Sequence, residues 1–126
     1  SRAVSTDVCV PISRLAECLN ATIEDIRASG LSAPIVGHVG DGNFHTMPMV
    51  DMSNPKEIAA AEQLIERMTK RAIAMDGTCT GEHGVGQGKI KYLKGEHGAG
   101  LAAMRAIKQA LDPRDILNPG KILPAP

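Results

Sequence analysis

His38-Val39-Gly40-Asp41-Gly42-Asn43-Phe44-His45 is the segment on which the reading of this chain turns. Asp-Gly is a strong signal for a two-residue hairpin, because a type I′ turn needs positive φ at both central positions. If Asp41 and Gly42 are those residues, Gly40 pairs with Asn43, Val39 with Phe44 and His38 with His45. Directly opposed residues of an antiparallel pair share a face, with Cβ atoms about 4.5–5.5 Å apart. Residues 34–40 then form one strand and 43–50 its return.

The flanking segments supply the rest of the fold. Val4-Ser-Thr-Asp-Val-Cys-Val10 reads as an earlier strand, ended by Pro11. Ile12, Leu15, Leu19, Ile23 and Ile26 recur at three- and four-residue steps, an amphipathic helix stopped by Gly30. Residues 51–55 are a polar break with Ser53 or Asn54 as N-cap and Pro55 in the first turn. Ile58, Ala61, Ile65, Met68 and Ala72 predict a helix over 56–75, closed by Gly77. Residues 77–88 are too rich in glycine for a regular element and read as a shaped loop. A short helical piece over 89–94 precedes a helix from about His97 to Leu111, whose apolar face carries Leu101, Met104, Ile107 and Leu111. Asp112-Pro113 stops it, and an apolar tail follows around Asn118-Pro119-Gly120. This order predicts an α+β class: an antiparallel sheet with helices packed on one side, then a C-terminal helical segment. Residues 1–126 read as a single domain.

Composition narrows the function classes. Lys and Arg number 14 and Asp and Glu 14, with one Phe, one Tyr and no Trp. A balanced charge with almost no stacking residues argues against a nucleic-acid partner. No apolar run approaches the length of a membrane span, and the first residues lack a signal-peptide pattern. Cys9, Cys18 and Cys79 are an odd count without C-x-x-C spacing, which fits reduced thiols and a cytoplasmic location. The Ser1 start falls in strand-like sequence, so the stretch reads as a piece of a longer chain.

Two opposed imidazoles can share a metal ion, whose Zn–N bonds are about 2.0–2.1 Å. A solvent-facing histidine pair is the alternative that the hairpin alone leaves open. Glu82-His83 in the glycine loop supplies a candidate third ligand, Glu82. Two histidines and a carboxylate with open positions is the pattern of catalytic sites. His83 would then be free to act as acid or base, and a plain surface histidine is the equal alternative. The loop fails as a phosphate cradle. A P-loop ending at Gly88-Lys89 needs Gly where His83 stands and Ser or Thr where Ile90 stands, and a dinucleotide fingerprint needs Gly at Lys89.

Four stretches also resemble a known family: residues 6–15 (Thr-Asp-Val-Cys-Val-Pro-Ile-Ser-Arg-Leu), 37–45 (Gly-His-Val-Gly-Asp-Gly-Asn-Phe-His), 77–86 (Gly-Thr-Cys-Thr-Gly-Glu-His-Gly-Val-Gly) and 111–122 (Leu-Asp-Pro-Arg-Asp-Ile-Leu-Asn-Pro-Gly-Lys-Ile). They look like the C-terminal part of FAD-linked oxidases. More narrowly they are similar to flavin-dependent D-lactate dehydrogenases and glycolate oxidase D-subunits, with D-2-hydroxyglutarate dehydrogenases as cousins. The resemblance implies that His38, His45 and Glu82 bind a divalent metal, commonly zinc, and that His83 contacts substrate as the candidate base. It makes Asn118 a candidate for a flavin-side contact. Met47 stands where some 2-hydroxyglutarate enzymes have a substrate-contacting asparagine, which favours a short 2-hydroxy acid over a dicarboxylate.

In that family the FAD-binding domain and a substrate-binding arginine lie N-terminal to these motifs. This stretch alone is therefore expected neither to hold FAD tightly nor to turn over. Its expected partners are a small 2-hydroxy acid, the FAD-binding domain of the same full-length chain, an electron acceptor or a membrane surface met peripherally, and further copies of itself. An exposed apolar patch where the flavin domain would pack is the reason to expect homo-oligomers. A stand-alone metal-binding or oligomerisation module without catalysis is the competing reading.

Overall fold

The computed structural model describes residues 1–125. The chain divides into two compact units, Ser1–His83 and Gly84–Pro126.

The first unit contains β1 (Arg2–Ala3), β2 (Thr6–Cys9), α1 (Leu15–Ser29), β3 (Ile35–His38), β4 (Asn43–Thr46), β5 (Met49–Val50) and α2 (Pro55–Ala74). β2, β4 and β3 form one sheet in that order, and β1 pairs with β5; every pairing is antiparallel. The α+β expectation holds. The core gathers Val8 and Phe44 from the sheet and Val10 just after β2 with Leu15 and Cys18 of α1 and Met68, Ala72 and Met75 in and after α2. Both helices thus cover the face that carries Val8 and Phe44.

α2 matches its sequence signals. Asn54 caps it by accepting the Lys56 N–H at 3.1 Å, and Pro55 opens it. α1 begins later than its apolar spacing suggests. A 3-10 turn occupies Ile12–Arg14, Ile12 is exposed, and the buried line is Leu15, Cys18 and Thr22. The Thr22 hydroxyl is satisfied by the Cys18 carbonyl at 2.8 Å, so a polar residue can occupy that line. Arg67 and Arg71 of α2 both reach Asp25 of α1, tying the two helices together.

The hairpin departs from the expected register. Val39–Asp41 form a 3-10 turn, and only Gly42 takes a left-handed conformation, at φ +73°. The loop is therefore four residues long, and His38 pairs with Asn43 while Val36 pairs with His45. A contact far along the chain explains the choice. The Val10 N–H donates to the Gly42 carbonyl at 3.0 Å, and a Cβ on Gly42 would lie 2.0 Å from the Val10 carbonyl oxygen. The returning strand is also interrupted. Pro48 has no N–H for the ladder, so β4 stops at Thr46 and β5 pairs elsewhere.

The second unit contains α3 (Leu93–His97), preceded by a 3-10 turn at Ile90–Tyr92, and α4 (Gly100–Leu111). His97 ends α3 instead of starting the long helix, because Gly98 at φ +51° breaks the run. Among its described residues only Tyr92, Leu93 and Asp112 are buried. Among the described residues of the chain, no helix is long and apolar enough to cross a membrane.

Candidate metal centre

The face of the sheet away from the helices is polar. Side chains alternate across a strand, so the pairings Asp7–His45, Cys9–Asn43, Val36–His45 and His38–Asn43 put these six residues on one face. Asp7, Asn43 and His45 are buried there. The segment after α2 supplies the cover. Thr78 bridges to Cys9 through two backbone hydrogen bonds, of 2.8 and 3.1 Å. The chain then turns through Gly81, and the Glu82 N–H donates to Asp7 Oδ2 at 2.9 Å.

This geometry replaces the direct opposition of His38 and His45 with a diagonal one. Diagonal neighbours on a sheet face are about 7–8 Å apart at the backbone, within reach of long side chains. The two imidazole rings lie 6.2 Å apart between centroids, and the His83 ring lies 5.4 Å from that of His45. All three rings converge on one oxygen. Glu82 Oε1 is 3.3 Å from His45 Nε2, 3.8 Å from His38 Nε2 and 3.7 Å from His83 Nε2. His45 is the buried member, while His38, Glu82 and His83 keep half or more of their side-chain surface exposed. Cys9, His38, Asp41, Asn43, Gly81 and Glu82 line an open cavity of about 320 Å³.

The donors fit a metal ion. Ligand atoms at about 2.0–2.1 Å in a tetrahedron stand about 3.3 Å from one another, and the His–Glu separations of 3.3 and 3.8 Å sit close to that edge. Metal-capable atoms of His38, His45 and Glu82 all lie within 4.8 Å of one another, and so do those of Asp7, His45 and His83. His45 belongs to both sets. The first set leaves His83 beside the centre with its ring open to solvent.

Four of the five residues singled out in the sequence therefore meet in the first unit. Asn118 lies in the second unit, exposed, with φ +49°. Asp7 and Asn43 were not singled out, though both belong to the site face. Asn43 Nδ2 donates to the Val8 carbonyl at 3.0 Å, and its buried Oδ1 finds no hydrogen-bond partner among the described residues. The signal for Asp7 was an acidic residue inside a strand-like apolar run, a costly placement without a partner. Two of the three cysteines offer no competing nucleophile. Cys18 and Cys79 are fully buried, and burial pushes the Cys18 thiol pKa up.

Residues 1–122 match the family model described as FAD linked oxidases, C-terminal domain. The chain belongs to that family. It is 51% identical over 97% of its length to a mitochondrial D-lactate dehydrogenase (cytochrome) of Arabidopsis thaliana, covering 22% of that protein. It is 54% identical over 94% of its length to the corresponding Kluyveromyces lactis protein, covering 20% of it. The glycolate oxidase subunit GlcD of Bacillus subtilis is 44% identical over 92% of this chain, with 25% of that subunit covered. The chain thus spans about a fifth to a quarter of the length of these relatives.

Proposed function

We propose that this chain is the substrate- and metal-binding part of an FAD-dependent D-2-hydroxyacid dehydrogenase, of the D-lactate or glycolate type. The observation that carries the reading is the convergence of three imidazole Nε2 atoms on Glu82 Oε1, at 3.3 to 3.8 Å, in a chain of this family. A surface histidine pair would not need a buried member, nor a glycine loop folded across it.

His38, His45 and Glu82 would hold a divalent cation, zinc by the nature of the donors. Such a cation would supply Lewis acidity toward a 2-hydroxy acid, and FAD held elsewhere in the full-length protein would supply the hydride-accepting capacity. His45, buried on β4, gives the centre its rigid ligand. Glu82 adds the negative charge that makes the set selective for a cation. His83 Nε2, 3.7 Å from Glu82 Oε1, takes the hydroxyl proton as the C–H bond breaks. The solvent-exposed His83 ring can then pass that proton to water.

The substrate is a short 2-hydroxy acid, D-lactate or glycolate. Its partners in this reading are the FAD-binding domain of the same polypeptide, an electron acceptor and further copies of the chain, in the cytoplasm or at a membrane surface.

The test is flavin bleaching in the full-length polypeptide. D-Lactate added without oxygen should reduce the flavin of the wild type. His83→Asn should slow that step by about 10²–10⁴-fold while flavin content stays unchanged. Equal bleaching rates in the two proteins would remove His83 from the reaction. Wild-type flavin untouched by every short 2-hydroxy acid would remove the substrate class.

A further inference from the structure

Asp7 takes no part in the proposed ligand set, yet it is only 2% exposed on the face that carries the site. It pairs across the ladder with His45. Its Oδ2 accepts the Glu82 N–H at 2.9 Å. The neighbouring Gly81 sits at φ +52°, where a Cβ would lie 1.9 Å from Asp7 Oδ2, 2.5 Å from Asp7 Cγ and 2.7 Å from Asn43 Nδ2. The loop is thus seated on the Asp7 carboxylate as closely as a backbone can be, and only glycine at 81 allows it.

We infer that Asp7 is the positioning residue for Glu82: it tethers the root of the Glu82 side chain above His45 so that the carboxylate meets the imidazoles. The functional consequence rests on the metal reading above, because Glu82 is a ligand only there. The need for a tether follows from exposure. The Glu82 side chain is 51% exposed and follows a glycine, so its own packing does not fix it. A carboxylate acceptor makes a shorter and stronger bond to a backbone N–H than a neutral group does. One such bond at the root of the side chain brings Oε1 to 3.3 Å from His45 Nε2. Outer partners of metal ligands act in this way, and their loss typically costs about 10–100-fold in metal affinity. Asp7, with His45 and His83, is itself close enough to form a ligand set. Its Oδ2 is already engaged by the Glu82 amide, which favours tether over ligand.

The experiment is a Co²⁺ titration of this chain read by visible absorption, with Zn²⁺ competition, beside hydrogen exchange at the Glu82 amide. Asp7→Ala should weaken Co²⁺ binding by about 10–100-fold and speed exchange of that amide. Asp7→Asn keeps an oxygen acceptor and should restore most of the affinity. Gly81→Ala should match the loss in Asp7→Ala, and the double variant should be no worse than either single, since both break one contact. Wild-type affinity in folded Asp7→Ala, with only its metal-free thermal midpoint lowered, would reduce Asp7 to a structural residue and overturn the inference. Asp7→Asn binding as poorly as Glu82→Ala would make Asp7 a ligand, which overturns it too. Undiminished binding in Glu82→Ala would sink the metal reading instead. The tether then stands or falls on whether Asp7→Ala speeds exchange of the Glu82 amide.

Discussion

The two units of this chain are built in opposite senses. The first packs its core between sheet and helices and gathers polar groups on the sheet face away from the helices. The second buries little beyond Tyr92, Leu93 and one carboxylate, and shows Ile107, Leu111, Ile116 and Leu117 at 61 to 78% exposure. Its turn after α4 is organised by charge. Asp112 accepts the N–H groups of Ile116 and Leu117 at 3.0 and 2.9 Å, and Lys108 closes onto it. A unit with a real core can hold functional groups rigidly. One held by a polar staple, with its apolar residues outside, is suited to being covered.

The sharpest test of that contrast is truncation. Phe44 is 1% exposed in the main cluster, and Phe44→Ala should cost about 3–5 kcal/mol in urea unfolding. Ile107→Ala, on the exposed face of α4, should stay within about 0.5 kcal/mol. A large loss at Ile107 would mean that α4 is covered in solution.

Metal loading should separate the units next. An ion that binds only the folded state at about 100 times its Kd adds about 2.7 kcal/mol. All proposed ligands lie in the first unit, so added Zn²⁺ should raise amide protection around β4 and leave α4 unchanged. His45→Ala should abolish the effect, and a chelator should reverse it in the wild type. Equal protection of both units would contradict the assignment.

Acid should act on the other unit. The Asp112 pKa is lowered first by its hydrogen bond to Lys108, then by the backbone donors of Leu117 and Ile116, against the opposing effect of burial. A lowered folded value means the stabilisation is present above the ordinary carboxylate range, about 3.9, and is lost as pH falls through the lowered value. Amides 116 and 117 should therefore lose protection in strong acid and be unaffected between pH 5 and 8. Loosening of this turn near neutrality would mean that another group controls it.

How much of this was legible depends on the range of the interactions. α2 was readable because its cap, its proline and its apolar period are all local. The hairpin register was not, because Val10 decides the conformation of Gly42 from more than thirty residues away. The stop at Pro48 and the break at Gly98 were written in the chain as residues that interrupt regular structure, but longer apolar patterns outweighed them. The pairing of His38 with His45 survived a wrong register only because diagonal neighbours share a face. Glu82 and His83 were joined to them by the need for a third ligand and by resemblance to a family, since nothing in local spacing brings residue 82 to residue 45. Asp7 was missed for the same reason: its partner lies 75 positions along the chain.

The smallest expected change in stability carries the most information about the second unit. Leu111 is 78% exposed and four residues from Ile107 on the same helix face. Leu111→Ser removes almost no buried area, so unfolding should shift by no more than about 0.5 kcal/mol. Association should respond much more. An exposed apolar strip is a site where copies of the chain meet when nothing else covers it. Light scattering at high protein concentration should show assemblies for the wild type and a smaller mean mass for Leu111→Ser. Joining the chain to an FAD-binding domain that covers the strip should lower the mass in the same way. A wild type that stays monomeric at high concentration would show that the strip is too small to drive association, and the contrast between the two units would then be one of rigidity alone.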